Sequence, residues 1–88
     1  MSDRYIIYFT NRSEKDLKKL SNAVQDKVLK KIVQLEKNRK PIQFKPLIGD
    51  KITKYRLRIG DYRVLFDINN SDKTVLILRI GHRKDIYR

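Results

Sequence analysis

The chain has 88 residues, 40% of them hydrophobic, which predicts a single domain over residues 1–88 with a small core. It contains no cysteine, which excludes a disulfide framework and a thiolate metal site. The single histidine and ten scattered carboxylates do not predict a metal cluster, and no cofactor is expected. No apolar run approaches the roughly 20 residues of a membrane span. Met1-Ser2-Asp3-Arg4 also lacks a signal-peptide pattern, so we expect a cytoplasmic location and no membrane association.

The net charge of +12, from 22 Lys+Arg against 10 Asp+Glu, is the most informative bulk property. A charge of this size repels itself and lowers stability unless the surface meets an anionic partner. Nucleic acid is the first candidate partner and an acidic protein is the second. An anionic membrane ranks third, because the basic residues do not form one basic amphipathic helix. The remaining alternative is a surface that serves only solubility.

The first predicted elements are a strand and a short helix. Residues 4–10 (RYIIYFT) are rich in β-branched and aromatic side chains, which is typical of a strand. Ser13 followed by Asp16 resembles a capping box with Asp in place of Glu. This spacing predicts a helix that opens there and continues through Leu20.

A second helix is predicted to begin after Ser21 or Asn22 and to run to about Lys37. Its apolar residues recur every three or four positions and form one stripe, as on the buried side of a helix. Its lysines fall mostly off that stripe and are typical of a solvated face. The stripe consists of Val24, Val28, Ile32 and Leu35, and the lysines are Lys27, Lys30, Lys31 and Lys37.

Residues 38–51 contain both prolines and Gly49 and are predicted to form a loop. Three strands follow, near 52–59, 62–68 and 74–80. The order β-α-α-β-β-β predicts an α+β fold, in which a helical hairpin packs on one face of a mostly antiparallel four-stranded sheet. The other face of the sheet is left open.

Gly60-Asp61 has the pattern of a two-residue hairpin loop, in which Gly supplies a positive φ. Such a loop places residues of the two strands opposite each other in fixed pairs. One face then carries the apolar pairs Ile59–Tyr62, Leu57–Val64 and Tyr55–Phe66. The other face carries the pairs Arg58–Arg63, Arg56–Leu65 and Lys54–Asp67.

The second face brings Arg56, Arg58 and Arg63 together, although like charges opposite each other destabilise a strand pair. Guanidinium groups clustered on an open sheet face suit phosphate binding through bidentate hydrogen bonds. The alternative is that these charges only prevent aggregation of an edge strand. The prediction depends on the register, because a longer turn would move Arg58 away from Arg63.

The C-terminal segment Gly81-His82-Arg83-Lys84-Asp85-Ile86-Tyr87-Arg88 follows the last strand. Regular alternation along that strand directs Leu76, Leu78 and Ile80 to the core and Arg79 to the open face. The segment can then deliver His82, Arg83 and Tyr87 to the arginine cluster. Tyr87 either stacks on an RNA base or closes the core as an ordinary aromatic residue. Further phosphate-binding candidates are Lys54, Arg79 and Lys84.

The runs 55–66 (YRLRIGDYRVLF) and 80–87 (IGHRKDIY) resemble the RelE/ParE toxin superfamily, and its RelE branch in particular. Residues 44–49 (FKPLIG) are similar to its Lys-Leu-x-Gly element, with a proline inserted. The resemblance implies the toxin of a type II toxin–antitoxin system, an endoribonuclease that cleaves mRNA on the ribosome. In such enzymes the ribose 2′-hydroxyl attacks the adjacent phosphate in line, leaving a cyclic phosphate and a 5′-hydroxyl. The implied partners are mRNA, the ribosome with its RNA, and a small RelB-like antitoxin.

The resemblance also assigns roles to residues. Arg63 and Arg83 match arginines that hold and stabilise the phosphate, and Tyr87 matches a tyrosine that stacks on the substrate and can transfer protons. Arg56 and Arg58 stand at positions that are commonly lysine, and a guanidinium is effectively never deprotonated. The proton acceptor would therefore be His82, Tyr87 or solvent, and histidine is a usual proton acceptor near neutral pH. We expect either a weak ribonuclease or one that depends on His82.

Two other functions stay open. A ParE-type toxin inhibits DNA gyrase without cleaving RNA, and a basic module could coat RNA or the ribosome without catalysis. ParE-like chains usually lack the set formed by Arg63, Arg83 and Tyr87, so its presence favours the ribonuclease. Independently of the chemistry, a domain of charge +12 with an open sheet face is expected to bind an acidic, partly disordered antitoxin that folds on it as a hetero-oligomer.

Overall fold

The computed structural model describes residues 4–36, 55–69 and 71–86. The four strands form one sheet in the order β1-β4-β3-β2, with β1 parallel to β4 and the other pairs antiparallel. The predicted α+β fold is therefore confirmed. No helix in the described ranges is long and apolar enough to cross a membrane. The elements are β1 (Ile6–Phe9), α1 (Asn11–Lys18), α2 (Asn22–Val33), a 3-10 turn (Gln34–Glu36), β2 (Tyr55–Ile59), β3 (Tyr62–Asn69), β4 (Thr74–His82) and α3 (Arg83–Ile86).

Helix α1 begins earlier than the sequence pattern indicated. Thr10 is its N-cap, since the Ser13 backbone N–H donates to Thr10 Oγ1 at 3.1 Å. The Ser13 hydroxyl in turn donates to the Thr10 carbonyl oxygen at 3.0 Å, and Ser13 is fully buried. The predicted capping box of Ser13 and Asp16 was therefore wrong. Both residues lie inside the helix, and Asp16 is available for another contact.

The expectation for α2 is confirmed in its main features. Ser21 is the N-cap, and its hydroxyl accepts the Val24 N–H at 3.3 Å. The helix ends at Val33 and continues as the 3-10 turn. The apolar stripe faces the sheet: Val28, Ile32 and Leu35 are buried, and Val24 packs against the same core. Lys37 and the loop 38–51 lie outside the described residues.

The β2–β3 hairpin has the predicted turn and register. Gly60 has φ +58°, the left-handed value that a primed turn demands at this position. The five pairs from Tyr55–Phe66 to Ile59–Tyr62 are all observed, while the pairing of Lys54 lies outside the described residues. The core side of the hairpin contains Leu57, Val64 and Phe66, which are buried against the α2 stripe.

Strand β4 contains an irregularity that reverses part of the predicted alternation. Leu65 pairs with Arg79, but Phe66 pairs with Ile77, so one residue of β4 is left without a partner in β3. Such a bulge shifts the inward–outward phase of the residues that precede it. The buried residues of β4 are consequently Val75, Ile77 and Ile80. The prediction was right for Ile80 and Arg79, and it was wrong for Leu76 and Leu78, which are exposed and partly exposed, respectively.

The positive φ of Gly60 leads to a testable prediction about stability. Gly60→Ala should lower the free energy of unfolding by about 1 kcal/mol, because an L-residue is disfavoured at positive φ even though the space around it is open. Gly81→Ala is the matched control. Gly81 has no positive φ, and an added Cβ would meet only Ile86 side-chain atoms at 3.8 Å or more. Denaturant unfolding that shows equal losses for the two variants would contradict the assigned turn.

Candidate nucleic-acid interface

Two rows of residues cross the sheet from β2 to β4 on the face opposite Leu57, Val64 and Phe66, and the middle residue of each row is buried. The first row is Arg58–Arg63–Gly81, and the second is Arg56–Leu65–Arg79. Neighbouring strands lie about 4.8 Å apart, and alternate residues of one strand about 6.8 Å apart. The four arginines are therefore placed within about 12 Å of one another along the backbone. Long guanidinium side chains from these positions can converge on one phosphate.

Arg63 is held by the hairpin turn. Its side chain is 8% exposed, and Nη1 donates to the carbonyl oxygens of Gly60 at 2.8 Å and Tyr62 at 2.9 Å. The guanidinium thus satisfies two carbonyl groups of the turn and fixes its charge at that end of the sheet. Arg58 lies directly opposite and is exposed, with no hydrogen bond or ion pair to any residue in the described ranges.

The same turn also binds the start of α3. The Arg83 N–H donates to the Asp61 carbonyl oxygen at 2.8 Å, and Arg83 Nε lies 3.8 Å from Asp61 Oδ1. The side chains of this ion pair are both exposed, so the pair contributes little stability. Its importance is positional, because Gly60-Asp61 brings Arg63 and Arg83 to one end of the hairpin. The two residues are 20 positions apart in the sequence, and both form hydrogen bonds to the turn.

His82 lies on the other face of the sheet. It pairs with Tyr62, two residues from the buried pair Val64–Ile80, so its side chain shares the core face. Its ring meets the Tyr62 ring edge-on, with centroids 5.4 Å apart. Both rings line a cleft of about 410 Å³ that also includes Arg12 and Lys19 of α1. Arg79 of the second row also lines this cleft, because its side chain reaches Asp16 of α1, whereas Arg56, Arg58 and Arg63 do not line it.

One nitrogen of His82 is already engaged. Its Nδ1 accepts the Lys84 N–H at 3.1 Å. A neutral imidazole whose Nδ1 accepts a hydrogen bond carries its proton on Nε2. The lone pair of Nδ1, which alone could accept a proton, is therefore occupied by the bond from Lys84. In this arrangement Nε2 can donate a hydrogen bond. Accepting a proton from substrate would require the bond from Lys84 to break.

Asp16 is a functional candidate that the sequence reasoning missed. It is 7% exposed, and its Oδ2 accepts hydrogen bonds from Arg79 Nε and from the Ile80 N–H, each at 3.0 Å. Arg12 Nε lies 3.5 Å from its Oδ1. The signal was present but misread, because Asp16 was taken as a capping residue. Once Thr10 is recognised as the cap, a carboxylate in the helix interior needs another explanation.

The remaining candidates are placed as follows. Lys54 and Tyr87 lie outside the described residues, and their proposed roles stay predictions. Lys84 is exposed on α3. Within residues 4–36, 55–69 and 71–86, no group of three His, Asp or Glu side chains could hold a metal ion.

The fold is that of known toxins in solved toxin–antitoxin complexes. The crystal structure of the toxin–antitoxin complex RelBE2 from Mycobacterium tuberculosis contains a chain that superposes with a TM-score of 0.80 at 31% identity, covering 93% of this chain and 94% of that one. The archaeal RelE–RelB complex from Pyrococcus horikoshii gives a TM-score of 0.75 at 29% identity, covering 93% and 98%.

Sequence comparison assigns the family. Toxin RelG of Mycobacterium tuberculosis is 35% identical over 88 residues, which cover 96% of this chain and 97% of RelG. The sequence model of the family described as "ParE toxin of type II toxin-antitoxin system, parDE" matches residues 7–87. The chain therefore belongs to the RelE/ParE superfamily of type II toxin–antitoxin toxins.

Arg63 and Arg58 should respond differently to truncation. Arg63→Ala removes two hydrogen bonds to the carbonyl groups of Gly60 and Tyr62, and should lower the free energy of unfolding by about 1–3 kcal/mol. Arg58→Ala removes an exposed charge next to a like charge and should change it by less than about 0.5 kcal/mol. Chemical denaturation of both variants measures the difference. If Arg63→Ala were as stable as Arg58→Ala, Arg63 would have no part in holding the turn.

Proposed function

We propose that this toxin is an endoribonuclease that cleaves mRNA, in the A site of the ribosome, by attack of a ribose 2′-hydroxyl on the adjacent phosphate. The observation that supports it most is the register that puts Arg56, Arg58, Arg63 and Arg79 in two adjacent rows of one sheet face. Arg83 is added to the same end by its contacts with Asp61. A surface of this composition is suited to a phosphate whose charge rises in the transition state.

In this proposal the arginines bind the phosphate and stabilise the developing negative charge. Hydrogen-bond donors that are already in place act without reorganisation during the reaction, and this electrostatic effect is usually the largest in catalysis. Arginine cannot accept the 2′-hydroxyl proton. The proton acceptor is then His82 after release of its bond from Lys84, or Tyr87, or solvent. Because His82 faces the helices, we expect charge stabilisation by the arginines to dominate the rate.

A second candidate is inhibition of DNA gyrase, and the observation that favours it is the match of residues 7–87 to the ParE family. The presence of Arg63, Arg83 and Tyr87 favours the ribonuclease instead, since the resemblance assigns that set to RelE-like enzymes. A third possibility is a basic module that binds RNA or the ribosome without cleaving it. The three functions differ in what they do to mRNA in a growing cell.

Mapping of mRNA 5′ ends after induction of the toxin tests the first proposal. Wild-type toxin should create new 5′ ends within coding regions. Arg83→Ala should reduce them by about 10²-fold, the loss that follows removal of one charge-stabilising donor. Lys30→Ala removes an exposed lysine of α2 and serves as the matched control with unchanged cleavage. Loss of cleavage in His82→Ala would identify His82 as the proton acceptor, whereas retained cleavage would assign that step to Tyr87 or solvent.

Other outcomes separate the alternatives. Growth arrest with DNA-damage signalling and no new 5′ ends would identify a gyrase inhibitor. RNA or ribosome binding by wild-type toxin without new 5′ ends would identify a non-catalytic module. Antitoxin binding by Arg83→Ala should be unaffected, which shows that the variant is folded.

The toxin's partner is a cognate antitoxin, and we propose that it is an acidic RelB-like chain that wraps the toxin in a hetero-oligomer. Two features of the open sheet face support this. The arginine rows on one half are complementary to acidic side chains. On the other half, Ile6, Tyr8 and Leu76 are exposed on the same face, as expected for a surface that a partner covers.

The complex should be more heat-stable than the toxin alone. A partner that binds only the folded toxin stabilises it by about 4 kcal/mol when present at 1,000 times its dissociation constant. Leu76→Ser should reduce the increase in melting temperature, while Val33→Ser, at an exposed valine of α2, should leave it unchanged. Calorimetry of toxin and complex provides the measurement. Equal melting temperatures for the two would count against the proposal.

A further inference from the structure

The outer edge of β4 loses its strand partner halfway along. Strand β1 pairs with β4 only as far as Phe9 and Ile77. Thr10 then extends the contact with two hydrogen bonds. Its N–H donates to the Ile77 carbonyl oxygen at 3.0 Å, and its hydroxyl donates to the Leu78 carbonyl oxygen at 3.2 Å. Beyond that point the chain turns into α1. The buried Ile80 N–H, on the same edge, needs an acceptor from another element.

Asp16 supplies that acceptor from α1. One of its oxygens, Oδ2, receives both the Ile80 N–H and the Arg79 Nε–H at 3.0 Å. A carboxylate that is 7% exposed is stable only when its charge is compensated, and Arg79 provides the shorter ion pair at 3.0 Å, beside that of Arg12 at 3.5 Å. Because the same oxygen holds a main-chain group and the adjacent side chain, the direction of Arg79 is tied to the backbone of β4.

This arrangement leaves the far end of Arg79 available. The residue is 30% exposed, and its two terminal amino groups form no hydrogen bond to any residue in the described ranges. Arg79 stands across Leu65 from Arg56 in the second arginine row. With Nε held, the plane of the guanidinium is restricted and its Nη1 and Nη2 groups are ordered before any ligand arrives. Such preorganisation increases affinity by reducing the ordering that binding must impose.

We infer that Asp16 is a positioning residue of the RNA-binding face, which orients Arg79 so that its terminal amino groups meet a phosphate. The inference rests on the proposed function, in which the arginine rows bind RNA. A purely structural role would require only the bond from the Ile80 N–H, which a neutral amide oxygen can also accept. The charge of Asp16 serves its two ion pairs, with Arg79 at 3.0 Å and with exposed Arg12 at 3.5 Å, and a substitution that removes only the charge separates this role from the bond to Ile80.

The first experiment measures hydrogen exchange of arginine Nε–H groups by NMR in the full chain without antitoxin. In the wild type, the Arg79 Nε–H should exchange at least about tenfold more slowly than that of exposed Arg58, since the bond of Arg79 to Asp16 is charge-assisted. Asp16→Asn should remove most of this protection. Asp26→Asn is the matched control, because Asp26 is exposed on α2 and the substitution is identical in charge and shape. Equal exchange of the Arg79 Nε–H in wild type and Asp16→Asn would overturn the inference, whether or not the toxin cleaves RNA.

The second experiment measures cleavage of mRNA on ribosomes. Asp16→Asn and Arg79→Ala should each lower kcat/KM by about tenfold, the lower end for loss of a charge-assisted hydrogen bond. The double variant should be no worse than Arg79→Ala alone, because Asp16 acts through Arg79. Arg79→Lys keeps the charge but has no Nε–H, and it should lose as much activity as Arg79→Ala. Asp26→Asn should cleave as the wild type does.

The outcomes distinguish this inference from the proposed function. If wild-type toxin cleaves RNA and the losses of Asp16→Asn and Arg79→Ala multiply in the double variant, Asp16 has only a structural role. Full activity of Arg79→Lys would also overturn the inference. If Asp16→Asn does not fold, cleavage by Arg79→Lys still tests the inference. If the wild type cleaves no RNA, the proposed function fails, and the exchange measurement alone shows whether Asp16 holds Arg79.

Discussion

The two-residue turn at Gly60-Asp61 is the constraint on which the arrangement of the site depends. A strand pair joined by such a turn has one register, and a slip of one residue would exchange its two faces. With this register, Leu57, Val64 and Phe66 enter the core and the arginines of β2 and β3 reach the open face. The turn has a second effect, because its carbonyl groups bind Arg63 and the start of α3. Core packing and the charged face therefore depend on the same few atoms.

The bulge in β4 is the second constraint, and it interrupts the pairing of β4 with β3 of the hairpin. Because of the bulge, Val75 and Ile77, which precede it in β4, and Ile80, which follows it, are all buried in the core. Arg79 is thereby placed beside Leu65, from where its side chain reaches Asp16 of α1. The irregular segment also lies where β1 ends, and there a side chain of α1 replaces the missing strand. A buried carboxylate thus joins the helices to the face that carries the arginines.

This member of the RelE/ParE superfamily carries its arginines and its histidine in different surroundings. Arg56, Arg58 and Arg63 share one face of the sheet, whereas His82 and Tyr62 meet in the cleft beside α1, which Arg79 also lines. His82, the one histidine of the chain, already accepts the Lys84 N–H at its Nδ1. Catalysis in the proposed enzyme would consequently rely on electrostatic stabilisation more than on a dedicated base.

The sequence by itself determined the element order, the apolar stripe of α2 and the register of the hairpin, because each follows from local periodicity or from a single glycine. It also indicated the arginine cluster, which follows directly from that register. Only the tertiary structure decided the phase of β4, the face occupied by His82 and the role of Asp16. A bulge moves every residue before it to the other face without any mark in the local pattern. The bonds of Asp16 to Arg79 and Ile80 span more than 60 residues, and such contacts exist only after the helix has packed on the sheet.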